Sequence, residues 1–166
     1  MYDLIRSLRE GGNPEDGSYV GARLSAKSKA RLRKMAKEIG VPKLVPSSKM
    51  HITLIYSRKY LPDFKPRGKL DEPMKATVEG LTVFQQEGGP RVLVVKLKSA
   101  DLKNRHEEIM DEHKATYDFD EYVPHVTLCY DCGDFDETEH SIKNQFQEPL
   151  EFDEEYYEDL DLNWVK

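Results

Sequence analysis

A hexapeptide of the form H-[IV]-T-L-x-Y occurs twice in the chain, as His51-Ile52-Thr53-Leu54-Ile55-Tyr56 and His125-Val126-Thr127-Leu128-Cys129-Tyr130. The copies lie 74 residues apart, and what precedes each is alike. Ser18 to Ser25 reads as a short strand. A helix follows from about Ala26 to Ile39, with Ser25 as N-cap and Gly40 at its C-terminal stop. Leu32, Met35, Ala36 and Ile39 recur at helical spacing as its buried face. Arg91 to Lys98 repeats the strand, and Ser99 caps a helix from about Ala100 to Ala115 with Leu102, Ile109 and Met110 on its apolar side. One H-x-T tripeptide is common. Two, each behind the same unit, predict two similar strand–helix–strand halves, about 18–57 and 91–131, in a single domain over 1–166.

The remaining segments predict an α+β fold. Met74 to Gln85 reads as a strand joined to Arg91–Lys98 by a hairpin through Gly88-Gly89-Pro90. Ser57 to Pro73 holds three prolines and reads as a long loop. Asp136 to Phe146 reads as a helix, and Leu150–Phe152 and Leu160–Val165 as strands.

Charge narrows the partners. The chain has a net charge of −6, and Glu148 to Asp161 carries eight carboxylates with no Lys or Arg. Long nucleic acids are held by basic surfaces that displace counterions, so none is expected as a partner. Lys43, Lys49, Arg58 and Lys59 gather around the first histidine in sequence, a patch suited to a small anion with a few phosphates. No apolar run approaches the roughly 18 residues of a membrane span, and Met1 to Arg6 does not open a signal peptide. Cys129 lies in an apolar strand-like run, so neither a disulfide nor a redox C-x-x-C pair is expected. The protein is read as cytoplasmic and reduced.

Side chains alternate along a strand, so His51 and Thr53 share one face while Ile52, Leu54 and Tyr56 share the apolar other. The same holds for His125 and Thr127. If the halves face each other across a cleft, one neutral imidazole can take a proton and the other, protonated, can give one. The threonine hydroxyls can donate to charge building on phosphate oxygens. No cluster at metal-ligand spacing is present, and no cofactor is expected. His106, His113 and His140 lack such a context and read as helix-surface residues.

Paired H-x-[ST] motifs in two similar halves resemble the 2H phosphoesterase superfamily. That resemblance implies a bilobal α+β fold, two antiparallel sheets around a central cleft with a histidine from each lobe. Over its full length the chain is most similar to the anti-CBASS proteins of T-even-like phages. These degrade the cyclic oligonucleotides with which the bacterial defence CBASS signals infection. The resemblance implies catalysis by His51, Thr53, His125 and Thr127, with substrate contacts from Tyr19, Glu158 and Trp164. It implies cyclic di- and trinucleotide substrates, such as 3′,3′-cyclic GMP–AMP, no obligate protein partner, and action in the host cytoplasm. An RNA 2′,3′-cyclic phosphodiesterase, a 2′–5′ RNA ligase-like enzyme and a non-catalytic cyclic-nucleotide sponge stay open beside this reading.

Overall fold

In the computed structural model, which describes residues 17–117 and 121–160, the elements run β1 (Ser18–Leu24), α1 (Ala26–Glu38), β2 (His51–Ser57), β3 (Gly68–Phe84), β4 (Val92–Lys98), α2 (Ala100–His113), β5 (His125–Cys129) and β6 (Leu150–Asp159). The fold is α+β, as expected. Both helices start where their serines can satisfy orphan amides. Ser25 Oγ accepts from Ser28 N–H at 3.2 Å and Ser99 Oγ from Leu102 N–H at 3.0 Å, each cap worth about 1 kcal/mol. Leu32, Met35 and Ala36 of α1 and Leu102 and Ile109 of α2 are buried in one core with the inner faces of the strands.

The strand order is β2-β1-β6-β3-β4-β5, and every pairing is antiparallel. Each half contributes a hairpin-like pair, β1 with β2 and β4 with β5. The long β3 belongs to both halves: its start pairs with β6 and its end with β4. Its first residues correct the expected loop. Gly68 and Lys69 already pair with Glu155 and Glu154, and the ladder is then interrupted up to Met74, which is where Pro73 sits. A proline cannot donate to a ladder, so it falls at the irregularity.

Three other expectations change. The acidic segment is mostly a central strand, β6, longer than Leu150–Phe152. Of the strand expected over Leu160–Val165, Leu160 is buried beyond the end of β6 and the rest lies outside the described residues. In place of a helix over Asp136–Phe146 stand two 3₁₀ turns, Glu137–Glu139 and Lys143–Gln145. The Asp136 carboxylate takes the Thr138 N–H at 3.0 Å, a local bond that competes with helix formation. Finally, Cys129 and Cys132 do stand at C-x-x-C spacing. Both are buried and free, with burial raising both thiol pKa values.

A charged residue is tolerated inside β6 because it is paired. Glu155, 1% exposed, accepts from Arg105 Nε at 2.6 Å and from its Nη2 at 2.9 Å, and from the Arg67 N–H at 2.8 Å. This fork ties α2 to the centre of the sheet. Removing one partner of a buried pair strands the other charge. Glu155→Ala should therefore lower unfolding free energy by about 3–5 kcal/mol, toward the lower end because Glu108 still holds Arg105. Urea denaturation measures this, and a loss below about 1 kcal/mol would place the pair with dispensable surface bridges.

Candidate active site

A β-bulge falls in each of the two strands that begin with a histidine. In β2, Val20 pairs with Ile55 and Gly21 with Thr53, leaving Leu54 as the extra residue. In β5, Leu93 pairs with Cys129 and Val94 with Thr127, leaving Leu128 extra. The bulges thus fall at equivalent positions of the repeat. A one-residue insertion reverses the alternation beyond it. Ile55 and Cys129 consequently turn into the core instead of following the histidine and threonine. Tyr56 moves the other way. Strict alternation puts it on the apolar face, yet it lies with Tyr19 and Leu160 in a separate cluster that Tyr117 and Tyr156 flank.

The residues in register with each histidine, each threonine and Tyr56 form rungs across neighbouring strands. In the first half these are His51–Arg23–Glu154, Thr53–Gly21–Tyr156 and Tyr56–Tyr19–Glu158. In the second they are His125–Lys96–Gly80 and Thr127–Val94–Thr82. Each histidine has a basic residue directly opposite. A shift of 74 aligns Arg23 with Leu97, whereas the strand register aligns it with Lys96. This equivalence was therefore hidden in the repeat.

Both imidazoles are held in the same way. His51 Nδ1 lies 2.6 Å from the Lys49 carbonyl, and His125 Nδ1 2.8 Å from that of Val123. A carbonyl only accepts, so Nδ1 carries the proton in each case and leaves the Nε2 lone pair free. Burial lowers both pKa values, that of His51 to about 4, despite the opposing effect of these backbone bonds. Arg23, His125 and Lys49 lower His51 further. His125 is buried and packs edge-on against Phe84 at 5.1 Å between centroids.

The halves meet where β2 and β5, the ends of the strand order, come together. Val45 N–H donates to the Leu128 carbonyl at 2.9 Å, and Tyr122 Oη donates to the Thr53 carbonyl at 2.7 Å. Thr53 is itself buried, its hydroxyl 2.9 Å from Tyr19 Oη. Tyr19 is fully buried and edge-on to His51 at 6.2 Å, and Glu158 is its cross-strand partner on β6. Trp164 lies outside the described residues.

Two residues of this wall had no sequence signal of their own. Arg23 stacks over the Tyr156 ring at 4.0 Å and pairs with Glu154 at 3.2 Å. Tyr156 lies across Gly21, where an added Cβ would meet its ring at 2.7 Å, so only glycine leaves room for it. His106 is a correction. It does not lie on the helix surface but is buried, 2.6 Å from the Leu54 carbonyl. Among the described residues no group of His, Cys, Asp and Glu is placed to hold a metal ion, and no helix is long and apolar enough to cross a membrane. The arrangement offers two acid–base groups, two hydroxyls, two flanking cations and an aromatic wall.

Known proteins are similar to this chain over most of its length. The family model described as "Anti-CBASS protein Acb1" matches residues 16–166. The anti-CBASS protein Acb1 of Salmonella phage S16 is 35% identical over 150 residues, 90% of this chain and 92% of that protein. Its counterpart in Enterobacteria phage T4 is 34% identical over 149 residues, 90% and 91%. That of Acinetobacter phage Ac42 is 41% identical over 120 residues, 72% and 75%. Among solved structures, the crystal structure of TT0787 of Thermus thermophilus has a TM-score of 0.48 and 19% identity, covering 85% of this chain and 83% of that one.

Proposed function

The chain belongs to the anti-CBASS protein Acb1 family, and from that premise we propose that it is a metal-independent phosphodiesterase opening the 3′–5′ bonds of cyclic di- and trinucleotides, 3′,3′-cyclic GMP–AMP among them, with His51 and His125 as acid and base. The observation that carries this reading is the matched pair of imidazoles. Each has Nδ1 anchored to the carbonyl two residues earlier, and each shares its strand face with a threonine.

The reaction follows from that pairing. One Nε2 takes the proton of a ribose 2′-hydroxyl, whose oxygen attacks the adjacent phosphorus in line. The bond from phosphorus to the 5′-oxygen breaks, and the other histidine gives that oxygen its proton. The products are a 2′,3′-cyclic phosphate and a 5′-hydroxyl, and water can reopen the former. Burial leaves both histidines neutral in the free protein, so the acid must be charged on binding. An incoming phosphodiester does this, since a nearby negative charge favours imidazolium. Thr53 and Thr127 donate to the non-bridging oxygens as charge builds, and Tyr156, half-buried and backed by the fully buried Tyr19, offers an aromatic ring on which a nucleobase can stack.

Incubation with cyclic dinucleotides and with short RNAs bearing 2′,3′-cyclic ends, with and without EDTA, tests the reading by chromatography of the products. Ring opening should persist in EDTA, because two histidines supply the proton transfers. Activity abolished by chelator and restored by magnesium would overturn the mechanism. Cleavage confined to RNA ends would move the substrate to the RNA phosphodiesterase class, and tight binding without products would make the protein a sponge.

A further inference from the structure

The bulge in β2 leaves the Leu54 carbonyl outside the ladder, and the partner it finds comes from the other half of the molecule. His106, on α2, donates from Nδ1 to that carbonyl at 2.6 Å. Its ring stacks on Tyr122, with centroids 4.3 Å apart and planes 7° from parallel. Tyr122, just before β5, donates its hydroxyl to the Thr53 carbonyl at 2.7 Å. Two consecutive carbonyls of the first half, those of Thr53 and Leu54, are thus gripped by two stacked rings of the second. The reciprocal bulge is treated alike, its Leu128 carbonyl taking the Val45 N–H.

We infer that His106 and Tyr122 are positioning residues, a clamp across the lobes that sets where the His51–Thr53 strand stands relative to His125 and Thr127. β2 and β5 lie at opposite ends of the strand order, so no ladder fixes their mutual placement. The chemistry proposed above nevertheless requires both imidazoles at one phosphate. Bonds aimed at the backbone of the catalytic strand itself supply that placement. Burial lowers the His106 pKa and keeps the ring neutral, which suits a stacked donor and gives it no role in proton transfer.

The inference rests on the proposed reaction, and its test separates the two. His106→Phe keeps a ring for stacking and loses the donor. His106→Asn places an amide nitrogen near the Nδ1 position and keeps one, and Tyr122→Phe removes only a hydroxyl. In the full chain, His106→Phe and Tyr122→Phe should lower kcat for cyclic dinucleotide opening by about ten- to a hundredfold, the cost of a small misplacement, with KM nearly unchanged. His106→Asn should recover most of the loss. The NMR resonances of His51 should shift in the two phenylalanine variants and stay close to wild type in His106→Asn, a readout that needs no turnover. Folded phenylalanine variants with wild-type kcat and unmoved His51 resonances would overturn the clamp while leaving the reaction intact. If His106→Phe fails to fold, Tyr122→Phe decides alone. Shifted resonances in a protein that opens no ring would sink the reaction and keep the clamp.

Discussion

His51→Ala and His125→Ala should each lower kcat for ring opening by about two to four orders of magnitude, the usual worth of a positioned acid or base. Each removes one of two imidazoles anchored alike through Nδ1, so neither variant should be mild. Substrate affinity should change far less, because the neighbouring side chains on the histidine face, among them Arg23, Lys96 and Tyr156, are untouched. Thr53→Ala and Thr127→Ala should cost about one to three orders, as expected for losing one hydrogen bond made in the transition state. Steady-state kinetics with binding measured separately on the same variants checks all four. Near-normal turnover in both histidine variants would show that the cleft assignment is wrong.

A ring built from 2′-deoxyribose at both sugars should bind and remain intact. The proposed nucleophile is the substrate's own 2′-oxygen, already tethered beside the phosphorus it attacks, and proximity of that kind supplies much of the rate. Deleting it removes the reaction and leaves phosphates and bases for the cleft to hold. A mixed-linkage ring should likewise be cut at its 3′–5′ bond and spared at its 2′–5′ bond, where that hydroxyl is already esterified. Mass spectrometry of the products decides. Efficient opening of the dideoxy ring would mean that water attacks directly, with one histidine activating it. The two-histidine assignment would survive and the internal attack would not.

What could be read from the chain alone was whatever repeats or caps locally. The two H-x-T strands, the helices behind Ser25 and Ser99 and the hairpin at Gly88-Gly89-Pro90 all declare themselves within a few residues. β6 did not, because Glu and Asp are poor strand formers and its central place depends on Arg105, about fifty residues away. Alternation alone puts Tyr56 on the wrong face, because a bulge has no sequence mark of its own, only a consequence in pairing. His106 looked like any polar helix residue until the Leu54 carbonyl appeared opposite it. Arg23 and Lys96 needed the strand register, since the spacing of the motifs puts them one residue out of step.

The paired bulges also bear on why the two end strands of the sheet do not pair. The six-stranded sheet is open, and among the described residues its end strands, β2 and β5, touch without a ladder between them. A bulge bends its strand and breaks the even spacing of donors and acceptors that such a seam would need. With Leu54 and Leu128 each committed to a cross-lobe partner, the two edges are spent on stitches instead of a zipper. His51 opens one of these end strands and His125 the other, and the same irregular edges offer a poor template for strands of other chains. Removing either extra residue would therefore threaten more than one side chain's direction. It would remove an obstacle to pairing between the two edges.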